Sequence, residues 1–420
     1  MEYSRYNIEV EWNGKIILYN SLHNKYAILS IDELNMLKNN TAAYIQTHSQ
    51  ITSNKLLEYG FIVDSLALEE NEVADLFFSQ CYDSSKFNFT IIPTNACDLK
   101  CPYCFAPRSS EYMDEYVQQA VIDYIASVIE NKSHQLKHLT VKWFGGEPLL
   151  ACDRISTITN AVYLKCQEYK IQYHANIHSN LAFCTDKEID CIKRAHIDIV
   201  HTTLAGTEAM THKKRPAKSG NSYFSNLIST VKKIMEFANV EILVSIDQEN
   251  RENIFDLLTW IQKEGLLEDK NVNIGFNLIR ENSNFRENDG LLKYTVSDTI
   301  EYINSLYTML GNNVSLTLPQ RGVYCFAQAK NSAVILPDGS LKKCEFGPAF
   351  GSVFSPHTIG KDYYFAQTHF PFKYPECVDC SVFPLCFSGC HSADGEICIL
   401  RYTIKEKIRR YFEQHFGNVR

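Results

Sequence analysis

Cys97-Asp98-Leu99-Lys100-Cys101-Pro102-Tyr103-Cys104 places three cysteines at C-x3-C-x2-C spacing, just behind an apolar, β-like run from Phe87 to Pro93. Three thiolates can hold three irons of a four-iron cluster and leave the fourth iron without a protein ligand. That open iron is where a reaction can happen, whereas a cluster closed by four cysteines mainly carries electrons. Zinc is the competing occupant of three closely spaced cysteines. The rest of the chain decides between them.

At 420 residues and 45% apolar, the chain can bury a large core and should hold two or three domains. A formal charge of −8 gives no basic footprint for nucleic acid. No apolar run approaches the length of a membrane span, and Met1-Glu2-Tyr3-Ser4-Arg5 does not start a charged-then-apolar signal segment. The expectation is a cytoplasmic protein with neither nucleic acid nor membrane as partner. Fifteen cysteines in a reducing compartment argue for metal or cluster ligation rather than disulfides. Three lie at 97–104 and seven between 325 and 398. Cys81, Cys152, Cys166, Cys184 and Cys191 show no ligand spacing and read as small buried hydrophobes.

Residues 1–85 read as a small unit of their own. Tyr6 to Glu11 alternates and meets Lys15 to Tyr19 across Trp12-Asn13-Gly14, a hairpin signal. A third strand, Tyr26 to Leu29, follows. Ser30 then caps one helix from Ile31 to about Gln46, and a second helix covers 52–59, ends near Gly60 and leads into a strand at Phe61-Ile62-Val63. Over 86–312 strands and helices alternate. Strands are expected at 87–93, 138–144, 171–179, 197–204, 240–246 and 272–279, with amphipathic helices such as Asp114 to Ile129, Arg154 to Tyr169 and Asn250 to Lys263. Six β-α units imply an α/β fold with a parallel sheet and helices on its outer face, shorter than a full eight-unit barrel. Working residues of such a sheet sit at the C-terminal ends of its strands.

The strand ends carry chemistry. The second strand closes in Trp143-Phe144-Gly145-Gly146-Glu147-Pro148, where paired glycines admit a ligand close to the backbone and Glu147 can accept from an ammonium group. The third ends in His178-Ser179-Asn180, the fourth in Thr202-Thr203-Leu204-Ala205-Gly206, and Arg215 stands nine residues beyond Gly206. Cys325 is followed by Gly339 and Cys344, and then by Cys377-x2-Cys380-x5-Cys386-x3-Cys390 and Cys398. Pro337-Asp338-Gly339-Ser340 reads as a tight turn that would set Cys325 and Cys344 near each other.

The three-cysteine run, with an aromatic before its last cysteine, resembles the signature of radical SAM enzymes, and Gly145-Gly146-Glu147-Pro148 resembles their GGEP motif. The resemblance implies a partial (β/α)6 barrel. It implies a cluster on Cys97, Cys101 and Cys104 whose open iron takes the amino and carboxylate groups of S-adenosylmethionine (SAM), and an electron that splits the sulfonium into a 5′-deoxyadenosyl radical. It places Gly145, Gly146 and Glu147 at the methionyl amino group, Ser179, Asn180 and Thr203 in the SAM pocket, and Arg215 at the SAM carboxylate. Leu181 stands where relatives have glycine, Ala205 where they have aspartate and Thr211 at a common histidine position. The seven C-terminal cysteines resemble the SPASM pattern, which implies a domain over 313–420 with two auxiliary clusters and three 4Fe-4S clusters in all. By that resemblance Cys377, Cys380, Cys386 and Cys398 close one cluster. Cys325, Cys344 and Cys390 hold the other. The N-terminal strands and helices resemble the winged-helix leader-recognition domain of peptide-modifying relatives.

The resemblance covers residues 87–398, about three quarters of the chain. It implies a maturase that cross-links a ribosomally synthesised precursor peptide through a thioether, carbon–carbon or carbon–oxygen bond, fed by a flavodoxin- or ferredoxin-like electron donor. A second expectation is a formylglycine-forming enzyme of the anaerobic sulfatase-maturase type, with Glu345, directly after Cys344, as catalytic base. A non-catalytic iron–sulfur electron carrier is the rival from another class.

Overall fold

A computed structural model describes residues 1–107, 109–279, 296–311, 317–319, 326–355, 371–388 and 399–417. The expected Cys325, Cys390 and Cys398 lie outside the described residues.

The N-terminal unit opens with β1 (Glu2–Tyr3) and a meander of β2 (Asn7–Trp12), β3 (Lys15–Asn20) and β4 (Lys25–Leu29). Asn13 and Gly14 both take positive φ, at 48° and 72°, as a two-residue hairpin turn requires. Ser30 caps α1 (Ile31–Asn39) in a full capping box with Glu33. The single helix expected to Gln46 is two. Asn40 leaves helical geometry at φ −149° and its side chain accepts from Ala43 N–H, starting α2 (Thr41–Thr47). Next come α3 (Gln50–Glu58), β5 (Ile62–Val63), which pairs with β1, and α4 (Leu66–Cys81). Sequence reading missed α4. Its acidic run hides an inward face of Val73, Phe77 and Cys81, and buried Glu69 accepts from Ser4 Oγ and Arg5 N–H.

The six expected strands form one parallel run: β6 (Lys86–Ile91), β7 (His138–Trp143), β8 (Gln172–His178), β9 (Ile199–Leu204), β10 (Asn239–Ile246) and β11 (Val272–Leu278). Their connections carry α5 (Glu115–Lys132), α6 (Cys152–Glu168), α7 (Asp186–Arg194), α8 (Glu208–Lys214), α9 (Phe224–Ile234) and α10 (Arg251–Lys263), and α11 (Val296–Leu310) follows β11. Alternation does the sorting. Leu139, Val141 and Trp143 of β7 are buried, with Val121, Ile125 and Ile129 of α5 in the same apolar core. The five scattered cysteines are all buried.

The sheet continues past β6. β12 (Ser332–Ile335) pairs parallel to β6, and β13 (Ser340–Lys342) and β14 (Ala349–Ser352) follow antiparallel. Gly339, φ 82°, makes the expected turn before β13. Two one-turn helices, α12 (Pro375–Val378) and α13 (Phe383–Cys386), precede α14 (Ile399–Phe416). The face of β2 and β3 shares one apolar core with α4, the α12–α13 segment and α14. Tyr6 Oη donates to Val378 O at 3.3 Å and Ser21 Oγ to Ser381 O at 2.5 Å. No helix among the described residues is long and apolar enough to cross a membrane.

Phe412 is the keystone of that shared core. Its ring is fully buried and meets the edges of Trp12 at 5.8 Å and Tyr26 at 4.8 Å. Phe412→Ala is expected to cost about 3–5 kcal/mol locally and to accelerate proteolytic cleavage of both α14 and the N-terminal hairpin, read by mass spectrometry of limited digests. Cleavage of one without the other would show the two elements are not coupled.

Candidate active site

The loop from Thr94 to Cys104 is stitched on both flanks. Thr94 bridges to Tyr112 and Leu99 to Ala217, while Lys100 N–H donates to Pro216 O and Lys218 N–H to Asp98 O. Beneath it lies the turn after β7. Gly146 N–H donates to Thr94 O at 3.1 Å and Glu147 N–H to Ala96 O at 2.7 Å. A Cβ on Gly146 would overlap the carbonyl oxygens of Asn95 and Ala96, and Gly145 sits at φ 127°. Only glycine lets these two backbones touch.

Glu147 is 3% exposed. Its carboxylate accepts from Ser179 Oγ at 2.8 Å, Asn180 N–H at 2.7 Å and Leu149 N–H at 3.0 Å. Burial, joined by the nearby Asp98 charge, pushes its acid up to about 7, opposed by those donors. Those three donors hold the ends of β7 and β8 together. Asn180 Nδ2 in turn donates to Asp98 Oδ1 at 2.7 Å, with Cys97 Sγ at 3.8 Å. Leu181, in the glycine position, takes φ 53° while fully buried. At the end of β9, Thr211 Oγ1 donates to Gly206 O at 2.7 Å and accepts from Ala205 N–H, so the two departures there close the turn locally. Arg215 is buried, donates to Thr203 O, and its own carbonyl accepts from Tyr223 Oη at 2.6 Å.

These elements enclose a cavity of about 780 Å³. Cys97, Cys101 and Cys104 line it, as do Gly145, Gly146, Ser179, Asn180, Thr203, Arg215 and Glu345. Glu147 stands behind that wall. Sequence reading missed Tyr103, Lys142, Phe144, His178 and His201, which line it too. Lys142, His178 and His201 lie on strands whose alternation was the signal, but only the register shows that these positions face one space; Tyr103 and Phe144 lie in the loops after β6 and β7. Glu345 Oε1 lies 3.9 Å from Lys142 Nζ. Phe105 stacks on Phe144 at 6.0 Å and meets Phe346 at a tilt, 4.8 Å away, joining the cysteine loop to the β13–β14 connection. Cys344 lies on that connection, whereas Cys377, Cys380 and Cys386 lie in the α12–α13 segment, against the N-terminal unit.

Residues 91–261 match the Radical SAM superfamily. This stretch of the chain is a radical SAM domain. The family implies SAM and one 4Fe-4S cluster, and the residues present fit both. Three thiols face one cavity, the Gly145–Gly146 turn leaves it backbone in place of side chain, and Tyr103 Oη is buried without a hydrogen-bond partner among the described residues. No three His, Cys, Asp or Glu side chains among the described residues converge on a site for a single metal ion.

The serine-type anaerobic sulfatase-maturating enzyme of Klebsiella aerogenes is 25% identical over 130 residues, 31% of this chain and 32% of that protein. The chain thus aligns with about a third of this curated relative's length. The solved structure of native anSMEcpe with bound AdoMet and Cp18Cys peptide superposes with TM-score 0.56 and 16% identity over 78% of this chain and 96% of that one. Streptococcus suis SuiB bound to precursor peptide SuiA gives TM-score 0.51 and 16% identity over 93% and 95%. At these identities the likeness is one of fold.

Gly146→Ala should push the cysteine loop away from the turn. SAM affinity is expected to fall at least about tenfold, roughly 1.4 kcal/mol, with reduced iron content, measured by equilibrium dialysis and iron analysis on reconstituted protein. Wild-type affinity and iron in this variant would show the close approach to be dispensable.

Proposed function

We propose that the protein is a radical SAM peptide maturase that installs a cross-link in a ribosomally made precursor peptide. The observation that carries this reading is the N-terminal unit. β4 forms an edge of its sheet, with Tyr26 and Ile28 exposed at 39% and 40%, and the unit is packed into the same structure as the cavity through β2 and α14. An extended leader can add to such an edge by main-chain hydrogen bonds. The likeness to peptide-bound SuiB supports the reading, because its unaligned share of this chain is smaller than the unit itself.

In this reading Cys97, Cys101 and Cys104 hold the cluster. Gly145 and Gly146 offer backbone to the methionyl end of SAM, Arg215 stands at its carboxylate, and Ser179, Asn180 and Thr203 complete the pocket. Bound there, cluster and SAM supply a 5′-deoxyadenosyl radical by reductive cleavage of the sulfonium. Glu147 positions the strand ends. Phe105 and Phe144 form the apolar wall of the cavity beside the cysteine loop. Cys344, with Cys325 and Cys390, would hold a first auxiliary cluster beside the cavity. Cys377, Cys380 and Cys386, with Cys398, would hold a second beside the N-terminal unit. A flavodoxin- or ferredoxin-like protein would donate the electron.

The sulfatase-maturase type is the second reading, favoured by the Klebsiella similarity and by Glu345 facing the cavity directly after Cys344. The two separate in one assay. Synthetic peptides encoded by short reading frames beside the gene are incubated with reconstituted protein, SAM and dithionite. A cross-link removes two hydrogens from the peptide and leaves it inert to hydrazide. A formylglycine product reacts with hydrazide, and an unmodified set rejects peptide maturation.

The leader role has its own test. Ile28→Glu sets a charge on the edge strand and should weaken binding of the full precursor at least about tenfold, roughly 1.4 kcal/mol, by fluorescence anisotropy. Undiminished binding would remove β4 from leader recognition.

A further inference from the structure

The lumen face of the sheet carries a row of titratable side chains that the proposed SAM site does not use. His178 of β8 lies opposite His201 of β9 in the register, and His201 lies opposite Glu241 of β10. The two imidazoles stack at 4.2 Å, 21° apart. His201 Nδ1 is 2.8 Å from Glu241 Oε2. On the other side His178 meets the edge of Phe144 at 5.3 Å, and Lys142 Nζ stands 4.5 Å from the Phe144 ring centre. Lys142 pairs with Glu345. Lys142, His178, His201 and Glu345 all line the cavity that holds the three cysteines, and Glu241 does not. From α14, Glu406, Lys407 and Arg410 complete its charged lining.

The members of this row differ in what they can do. Burial, with Lys142 and His201 beside it, holds His178 far below the ordinary histidine range, so it stays neutral and fills space. Burial lowers the Lys142 and Lys407 ammonium groups from their ordinary value, opposed at Lys142 by the Glu345 charge, and Glu345 is itself engaged by Lys142. His201 is different. Its bond to Glu241 places the proton of the neutral ring on Nδ1 and leaves the Nε2 lone pair free. A carboxylate behind the ring then stabilises the imidazolium that forms, the base-and-orienter arrangement of general base catalysis. The bond to His201 lowers the Glu241 acid in turn, against its partial burial.

We propose that His201, positioned by Glu241, is the general base that takes the proton released as the product bond forms. The proposal rests on the maturase reading but holds for either product. In a cross-link, a substrate C–H bond breaks and its hydrogen atom passes to the 5′-deoxyadenosyl radical. The substrate carbon radical then bonds to the second side chain. The X–H bond of that side chain breaks, its proton goes to His201 Nε2, and the remaining electron goes to a one-electron iron–sulfur acceptor. In formylglycine formation from serine the carbon radical becomes C=O, and the hydroxyl proton and one electron follow the same two routes.

The test uses reconstituted full-length protein, SAM, dithionite and whichever synthetic neighbouring-gene peptide the wild type modifies, deuterated at the reacting carbon. Product per 5′-deoxyadenosine should fall about 10²–10⁴-fold in His201→Ala and His201→Gln, with deuterium still entering 5′-deoxyadenosine. Added imidazole should restore coupling to His201→Ala alone, a response that a packing defect would not give. Glu241→Gln should lower product per 5′-deoxyadenosine, and Glu241→Asp, which keeps a carboxylate acceptor, should restore part of it. An unchanged ratio in both His201 variants overturns the proposal. So does a collapse confined to Glu345→Gln, which would make Glu345 the base. A wild type that forms 5′-deoxyadenosine but modifies no peptide overturns the maturase reading itself, and the base with it.

Discussion

A carboxylate sealed away from water must be supplied with donors, and Glu147 takes three from two different strand ends. That requirement organises the C-terminal ends of β7 and β8. Ser179 and Asn180 are drawn to Glu147, Asn180 then reaches Asp98, and Asp98 belongs to the cysteine loop. Gly145 and Gly146 make the arrangement possible by letting the turn lie directly on the backbone of Thr94 to Ala96. The cysteine loop is thus tied by hydrogen bonds to the turn after β7 and, through Asn180, to the end of β8. Its thiols face the cavity from a frame already set.

The same frame reaches the C-terminal half. Because β12 pairs with β6, the β13–β14 connection arrives over the cysteine loop, and Phe346 and Glu345 meet Phe105 and Lys142 there. α14 contributes Lys407 and Arg410 to the cavity, while its Phe412 packs under the N-terminal sheet. A peptide held at β4 and a side chain held in the cavity would therefore rest on a common support. The shared core buries faces of both ends of the chain.

Much of this was legible in the sequence because local rules act at those positions. Asn13-Gly14 accept positive φ, Ser30 and Glu33 form a capping box, and strands such as β6, β7 and β9 alternate. The break at Asn40 and the helix Leu66–Cys81 were not, since their decisive contacts are an Asx cap and a buried glutamate bonded across 65 residues to Ser4. The cavity's cysteines were legible from spacing alone. Its histidines were not. A polar residue at every second strand position is ordinary, and only the register sets His178, His201 and Glu241 side by side. For Glu147 the motif was legible, whereas the three donors it gathers at the strand ends were not.

The central claim is that Cys97, Cys101 and Cys104 hold a cluster that cleaves SAM reductively in this cavity. Its most direct measurement is 5′-deoxyadenosine formed from SAM and dithionite by anaerobically reconstituted protein, followed by chromatography and mass spectrometry. The account predicts formation by the wild type and none by Cys101→Ala. Absence from an iron-loaded wild type, or wild-type amounts from Cys101→Ala, would contradict it.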